Sequence, residues 1–228
     1  MRRLILASGA EGTDAAAWTA AGIEVQSRAD PAHEIVHELR GELAEAGARR
    51  ATVHGVLLEV HGVGVLVEGA AGAGKGMLAL DLLSRGHALV ADDAVELARP
   101  APGIVLGQAP PLLEGYLASR DLGVVDVRRL HGARALRREC RLDLVIRLES
   151  RPAKATAGQL LTGRRSTRRL LGESVPALAL PAHSRFEKRG HNLAALVEAA
   201  CLDRRLRLDG IEADAALVRR QARAIRRP

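Results

Sequence analysis

The sequence predicts an α/β fold, and three observations lead to this class. Short apolar runs typical of strands alternate with segments in which apolar residues recur at helical spacing. A glycine-rich loop, Gly69–Gly76, stands between one such strand and one such helix. The 228 residues are 47% hydrophobic and 27% charged, which supplies enough apolar material for a core beneath a charged surface.

The first fifty residues predict a small β-α-β-α unit. LILAS at 4–8 and GIEVQSR at 22–28 have the composition of strands. Asp14 is placed to cap the intervening helix, and Pro31 suits the first turn of a second, amphipathic helix. A unit of this size is marginal on its own, so we expect it to depend on the segment that follows.

The central part of the chain predicts a hairpin, a helix and a further strand. TVHGVLLEV (52–60) and GVLVEG (64–69) flank a turn at His61–Gly64, and MLALDLLSRG (77–86) then has a helical pattern that ends at Gly86. HALVADDAVEL (87–97) predicts a strand that carries two adjacent carboxylates, Asp92 and Asp93.

The second half of the chain predicts two helices, a polar segment and three strands. LLEGYLASR (112–120) is expected to be helical, and the Arg-rich stretch 151–175 is expected to be a mobile loop or subdomain. The helix 191–208 precedes a basic helical tail. Strands are expected in GVVDV (123–127), LDLVIRLES (142–150) and VPALALPA (175–182). We therefore divide the chain into a partial N-terminal α/β domain (1–50), a nucleotide-binding domain (51–208) and a basic tail (209–228).

Composition excludes several classes of protein. No apolar run reaches the ~20 residues of a membrane-spanning helix, and the N-terminal apolar stretch is too short for a secretory signal. We therefore expect a cytoplasmic protein without a membrane partner. The net charge of +7 permits polyanionic partners, but three aromatic residues offer little for stacking bases, so no specific nucleic-acid partner is expected. Cys140 and Cys201 are expected to be buried thiols.

The loop Gly69-Ala70-Ala71-Gly72-Ala73-Gly74-Lys75-Gly76 matches the phosphate-binding pattern GxxxxGK[ST] at every fixed position except the last. Small residues allow backbone N–H groups to approach a phosphate closely, and the following helix directs its positive N-terminal end at the same anion. Lys75 is one of only three lysines among the 34 Lys and Arg residues of the chain. Because arginine supplies nearly every other cation, a lysine here indicates a position that requires a compact ammonium group. Gly76 offers no side-chain oxygen to a metal ion.

Two adjacent acids and one histidine complete the candidate site. Asp92 and Asp93 are expected at a strand end that faces the loop, where one could hold a metal through water and the other could deprotonate a hydroxyl nucleophile. His54 lies in the strand region before the loop, and by itself it is more simply a core or surface residue.

The stretch VHGVLLEVHGVGVLVEGAAGAGKG, followed by LVADD and RDLGVVDVRRLHGARAL, resembles the HPr kinase/phosphorylase family from about Leu4 to Leu208. These bacterial enzymes phosphorylate a serine of the phosphotransferase carrier HPr and remove the phosphate by phosphorolysis. The resemblance implies a P-loop-containing kinase domain of the phosphoenolpyruvate carboxykinase-like type. It further implies ATP with Mg²⁺ as cofactors, an HPr-like phosphocarrier as partner, and a hexameric homo-oligomer.

The resemblance implies catalytic roles for three residues. Asp93 would exchange the seryl proton, Lys75 would neutralise charge on the transferred phosphoryl group, and His54 would support the phosphate site. The two metal-ligand positions of the family fall at Gly76 and Ala118. The family's catalytic arginine, in a Tyr-Asp-Arg segment, aligns with Gly158-Gln159-Leu160, and Arg164 and Arg165 lie nearby.

These departures leave the metal ligands of this chain open. Asp92, Glu114 and Asp121 are candidate substitutes, with Glu114 one helical turn before Ala118 if that segment is helical. Mg²⁺ needs only one or two carboxylates besides phosphate oxygens and water. Two functions remain open at this stage: an HPr-type serine kinase/phosphorylase, and a nucleotide-binding pseudoenzyme or scaffold without phosphoryl transfer.

Overall fold

The protein is represented by a computed structural model, which describes residues 3–6, 24–27, 29–30, 48–150, 159, 162–182 and 192–225. The chain divides into two compact units, Met1–Ala48 and Arg49–Pro228. In the first unit, strands β1 (Arg3–Leu6) and β2 (Glu24–Ser27) pair in parallel. Both strands were expected there, while the expected helices at Asp14 and Pro31 lie outside the described residues.

The described part of the second unit combines a large mixed sheet with helices. Its strands are β3 (Arg49–His54), β4 (Val56–Val60), β5 (Val63–Gly69), β6 (Ala88–Ala91), β7 (Ala94–Ala101), β8 (Ile104–Gln108), β9 (Tyr116–Ser119), β10 (Gly123–Asp126), β11 (Glu139–Glu149), β12 (Arg165–Leu170) and β13 (Glu173–Pro181). Its α-helices are α1 (Lys75–Ser84), α2 (Val127–His131), α3 (Leu193–Leu208) and α4 (Ala213–Ile225). The α/β class predicted from the sequence is confirmed.

Nine of these strands form one sheet, in the order β3-β7-β8-β11-β5-β4-β6, with β13 beside β11 and β12 beside β13. β5, β11 and β13 run parallel, whereas β4 is antiparallel to β5. β11 joins the two parts of the sheet, because residues 139–141 pair with β8 and residues 142–148 pair with β5. β9 and β10 form a separate antiparallel pair.

The core lies on both faces of the sheet, and alternation along the strands assigns each side chain to a face. Leu58, Val65 and Ile146 point to one face, where they pack with residues of α1 and α3. Leu57 and Leu66 point to the other face, where they pack with buried residues of β7, β8, β12 and β13. β4 and β5 are therefore buried on both faces, which explains why their sequences are almost continuously apolar.

Helix α1 packs against the sheet through a single apolar face. Leu78, Ala79, Leu82 and Leu83 are buried, at the spacing that places side chains on one side of a helix. The helix ends at Arg85, and Gly86 follows with a φ of 90°, the left-handed conformation that favours glycine. Within the described residues, no helix is both long and apolar enough to cross a membrane.

The sequence-based prediction of a helix at 112–120 is wrong. Pro111–Leu113 form one 3-10 turn, Gly115 has a φ of 80°, and Tyr116–Ser119 form strand β9. Leu117 and Ser119 are buried while Tyr116 and Ala118 are exposed, which is the two-residue period of a strand. Glu114 therefore does not lie one helical turn from Ala118.

Two other segments also differ from expectation. The strand expected at 52–60 is broken at Gly55, because β3 pairs with β7 whereas β4 pairs with β5 and β6. Part of the stretch expected to be a mobile loop, Arg165–Leu170, forms strand β12 antiparallel to β13. Its alternating burial is weak because it lies at the edge of the sheet.

Both cysteines are free and buried, as expected. Burial raises the pKa of the Cys140 thiol and of the Cys201 thiol to about 12. Each therefore contributes to the core as a small apolar side chain rather than as a thiolate.

We expect Leu58→Ala to lower the free energy of unfolding by about 2–5 kcal/mol, because Leu58 is fully buried and its truncation leaves a cavity. Urea unfolding followed by circular dichroism measures this change. Leu112→Ala is the matched control: Leu112 is 87% exposed, so its loss should be under about 0.5 kcal/mol. Equal losses for the two variants would contradict the core described above.

Candidate active site

The glycine-rich loop leaves the carboxyl end of β5 and enters the N-terminus of α1. Gly72 and Gly74 have φ angles of 78° and 94°, which side chains other than that of glycine rarely adopt. The amide of Ala73 donates to the carbonyl of Ala70 over 3.1 Å, which closes a turn within the loop. Gly74 caps the helix without a side chain, so no side-chain cap covers the first-turn N–H groups. This is the geometry that favours an anion.

Lys75 is the first residue of α1, and its side chain folds back over the loop. Its Nζ donates to the carbonyl oxygen of Gly69 over 2.8 Å and to that of Ala70 over 3.4 Å. The ammonium group is thus held within the loop, at the N-terminus of α1. An anion seated on the loop would lie in contact with this charge.

Asp93 and His54 form a pair at the edge of the same cleft. The Nδ1 atom of His54 lies 3.0 Å from Asp93 Oδ1 and 2.8 Å from the Asp93 carbonyl oxygen. Asp93 has a φ of 65°, and its carbonyl also accepts the Gly55 amide over 3.2 Å. Both side chains are more than half exposed, so the carboxylate is open to a substrate. The left-handed conformation turns Asp93 out of the line of the preceding strand.

Asp92 has a different environment from its neighbour, because it is only 8% exposed. Its Oδ2 accepts the backbone N–H of Ala118 over 2.6 Å, which ties the end of β6 to β9. Burial raises the pKa of Asp92, and the backbone N–H groups of Ala118 and Asp93 offset only part of that effect. Two consecutive carboxylates thus differ: one is buried and the other is solvated.

The predicted residues surround one cleft with a volume of about 360 Å³. His54, Lys75, Asp92, Asp93 and Asp121 all line it, together with Ala71, Gly72, Gly74 and Gly76 of the loop. Gly69, Ala70 and Ala73 do not line the cleft; Ala73 is buried behind the loop. Glu114 does not line it either, so the structure removes Glu114 from the candidate metal ligands.

Gly76 and Ala118, the two positions to which the resemblance assigns the family's metal ligands, lie against each other. A Cβ at position 76 would lie 2.6 Å from the carbonyl oxygen of Ala118, which is closer than real Cβ atoms come. A serine therefore cannot replace Gly76 unless the β9 backbone moves. Position 118 carries only a methyl group and offers no ligand to the cleft.

Arg120 lines the cleft and was not selected from the sequence. One terminal nitrogen of its guanidinium would lie 2.9 Å from a Cβ at Gly72, so the cation rests against the loop. The sequence feature that could have identified Arg120 is the alternation of side chains along an extended segment. Residues 118 and 120 fall on the same side of such a segment, so Arg120 is expected to face the cleft together with Ala118. The helix wrongly assigned to this segment concealed that relationship.

Arg164 and Arg165, which lie near the segment that the resemblance aligns with the family's arginine, pair with acids away from the cleft. Arg164 lies 2.7 Å from Glu149 and Arg165 lies 2.8 Å from Asp203, and neither side chain lines the cleft. Of the segment aligned with the family's arginine, only Gln159 is among the described residues.

The fold and the cleft define an α/β protein with a glycine-rich loop at the carboxyl edge of a mixed sheet, where proteins of this class place their ligands. Residues 45–221 match the family described as the HPr Serine kinase C-terminal domain. The chain belongs to this family.

Individual relatives agree with this assignment. The HPr kinase/phosphorylase of Azoarcus sp. strain BH72 is 38% identical over 207 residues, which cover 91% of this chain and 64% of that protein. The Bordetella petrii protein of the same name is 43% identical, with coverages of 85% and 61%. The chain thus spans less than two thirds of the length of these relatives. The solved Hpr(Ser) kinase/phosphatase from Coxiella burnetii superposes with a TM-score of 0.64 at 31% identity, over 70% of this chain and 93% of that one.

We expect Gly76→Ala to lower the free energy of unfolding by about 1–3 kcal/mol, because the new methyl group meets the Ala118 carbonyl. The sign is diagnostic, since the same change at an open helical position stabilises by up to about 1 kcal/mol. Urea denaturation measures the effect, and Gly76→Ser should show a similar loss. Ser84→Ala, at an exposed position of the same helix, should change stability by less than about 0.5 kcal/mol. A more stable Gly76→Ala variant would show that the contact is absent.

Proposed function

We propose that this chain is an ATP-dependent serine kinase/phosphorylase that acts on an HPr-like phosphocarrier protein, and that its second unit is a P-loop kinase domain of the phosphoenolpyruvate carboxykinase-like type. One observation carries the proposal: the His54–Asp93 pair, Lys75 and the glycine-rich loop all line a single cleft. This arrangement places a base, a cation and an anion cradle around the same space. The names of the relatives point to the same reaction.

Asp93 is the proposed base. In the kinase direction the seryl oxygen attacks the γ-phosphorus of ATP, the bond to the bridging oxygen breaks, and ADP departs as the seryl proton passes to the Asp93 carboxylate. The exposed carboxylate is accessible to a protein substrate. His54 would hold one carboxylate oxygen through its Nδ1–H and leave the other free to receive the proton.

In phosphorolysis the same groups act in reverse. Inorganic phosphate attacks the phosphorus of phosphoserine, pyrophosphate forms, and protonated Asp93 returns its proton to the departing seryl oxygen. The Asp93 side chain is solvated, in contrast to the buried Asp92, so the substrate of either direction can reach it.

The loop and two cations would bind the triphosphate. The first-turn N–H groups of α1 would receive phosphate oxygens, and Lys75 would exchange its contacts with the Gly69 and Ala70 carbonyls for contacts with phosphate. Arg120, placed against Gly72, would add a second positive charge on the other side of the loop. Phosphoryl transfer depends mainly on such positioning and charge stabilisation.

The residues present fit a magnesium ion, although not at the family's ligand positions. Asp92 and Asp121 both line the cleft with carboxylate groups, and Mg²⁺ requires only one or two carboxylates beside phosphate and water. We propose that these two residues hold the ion. When bound, magnesium would neutralise charge on the β- and γ-phosphates. The raised pKa of Asp92, caused by its burial, indicates a carboxylate that a nearby cation would stabilise.

The remaining expectations from the sequence and from the resemblance stay predictions. These are the roles of Gly69 to Gly76 in nucleotide binding, the domain boundaries after residues 50 and 208, a hexameric assembly, and a cytoplasmic location. The proposed phosphoacceptor is a serine of an HPr-like carrier, because the relatives are HPr kinases.

We expect Asp93→Asn to reduce phosphoryl transfer from ATP to a purified HPr-like carrier by about 10²–10⁴-fold, because an amide cannot accept the seryl proton. Transfer of ³²P from γ-labelled ATP, with Mg²⁺ or Mn²⁺, measures the rate. Asp209→Asn is the matched control, since Asp209 is exposed at the end of α3 and outside the cleft. It should retain the rate of the unchanged protein.

Nucleotide binding must be measured on the same preparations. Calorimetry should show that Asp93→Asn still binds ATP, since the loop and Lys75 are untouched. If the unchanged protein binds ATP but labels no carrier with either metal, the kinase proposal fails and the pseudoenzyme alternative takes its place. If it labels the carrier and Asp93→Asn is equally active, another residue is the base.

A further inference from the structure

A second group of chemically reactive side chains lies away from the cleft. His61, His87 and Glu198 bring one ligand atom each to within 4.8 Å of the others, and this is the one such group of three His, Cys, Asp or Glu residues in the described part of the chain. The three come from different elements: the β4–β5 turn, the connection after α1, and α3. Their proximity is produced by the fold and cannot be read from sequence spacing.

We propose that His61, His87 and Glu198 form a binding site for a transition-metal dication, with Zn²⁺ as the ion that fits best. Two imidazole nitrogens and one carboxylate oxygen are a ligand set that suits zinc, whereas magnesium and calcium prefer oxygen ligands alone. Three protein ligands leave a fourth tetrahedral position for water. The proposal is independent of the proposed kinase function.

The site lies at the opposite end of the domain from the cleft. β5 runs from the His61 turn to the glycine-rich loop, and α1 runs from that loop back towards His87. Helix α1 has ten residues, which is about 15 Å of helix. Zinc bound here would therefore not contact Lys75, Asp92 or Asp93.

The ligand atoms are nearly in place already. His87 Nε2 lies 3.0 Å from Glu198 Oε1, and the two imidazole rings meet edge to face with their centroids 4.7 Å apart. Ligand atoms about 2.1 Å from a tetrahedral zinc ion are about 3.4 Å from one another. Side-chain rotations that move the three ligand atoms by about 1 Å would therefore admit the ion. His87 is 8% exposed and thus rigidly held, whereas His61 is exposed and free to adjust.

The surroundings support the ligands in the manner of a metal site. Arg85 donates to Glu198 Oε2 over 3.1 Å, which leaves Oε1 directed at His87 and at the proposed ion. Arg205 donates to the His61 carbonyl over 3.2 Å and holds the turn against α3. Ligating carboxylates in metalloproteins are commonly fixed by such outer contacts.

A path for the ion is also present. His61 and His87 line an open surface cavity of about 320 Å³, which they share with Glu59, Arg85 and Arg137. The Arg137 guanidinium donates to the Glu59 carboxylate over 2.9 Å. Because that carboxylate is already paired, the two imidazoles are the side chains of this cavity that are available to a metal ion. Bound zinc would link α3 to the β4–β5 turn and to the end of α1, and would thereby stabilise the docking of α3 on the sheet.

The test is equilibrium dialysis of the full chain, after removal of metals with a chelator, against ZnCl₂. We expect one Zn²⁺ ion per chain and a rise in melting temperature on addition of ZnCl₂ that is lost in His61→Asn and in Glu198→Gln. His61→Asn and Glu198→Gln should each weaken zinc affinity by at least about 10-fold, since loss of an outer-shell partner alone typically costs 10–100-fold. Asparagine suits the left-handed φ of 51° at position 61, and glutamine preserves the shape of Glu198, so both variants should fold.

Matched controls separate this site from other histidines. His131→Asn changes an exposed histidine outside both cavities, and His54→Asn removes the imidazole of the cleft; both should retain the zinc. The proposal is overturned if the unchanged protein binds no zinc at one ion per chain, or if His61→Asn and Glu198→Gln bind zinc as tightly as it does.

Discussion

The burial of β5 on both faces is the constraint on which the rest of this domain depends. Val65 and Val67 pack under α1 and α3, while Leu66 packs under the antiparallel strands. Because β4 pairs with one edge of β5 and β11 with the other, the strand has no freedom to shift. Its two ends are therefore fixed: the glycine-rich loop emerges from one and the His61 turn from the other. Both proposed sites rest on this single strand.

The two positions to which the resemblance assigns metal ligands, Gly76 and Ala118, lie against each other in the structure. Gly76 and Ala118 touch through the backbone of β9, so a side chain at position 76 and the observed position of β9 exclude each other. The same stretch of β9 donates its Ala118 N–H to Asp92. The close approach of β9 thus leaves no room for a side chain at position 76 and also seats the buried Asp92 carboxylate at the cleft.

The sequence predicted those parts of the structure that depend on local pattern. The loop, α1, α3 and strand β5 are marked by glycine positions and by apolar periodicity, and they formed where expected. The strand expected at 52–60 did not, because it breaks at Gly55. The helix expected at 112–120 failed because its apolar residues fit either period, and only pairing with β10 decides between them. Arg120 was missed for that reason. The pairing of His54 with Asp93, and the meeting of His61, His87 and Glu198, join residues far apart in the chain, which no local pattern encodes.

The choice of cation at position 75 follows from the geometry of the loop. Lys75 places a compact ammonium group between the carbonyl oxygens of Gly69 and Ala70, inside a turn only a few residues wide. A guanidinium group is broad and planar and presents a fixed fork of donors, so it would not enter that space without opening the loop. It does fit outside the loop, and there the chain uses Arg120. In a protein where all but three of the 34 Lys and Arg residues are arginine, a lysine at this point indicates that the interior of the loop selects the smaller cation.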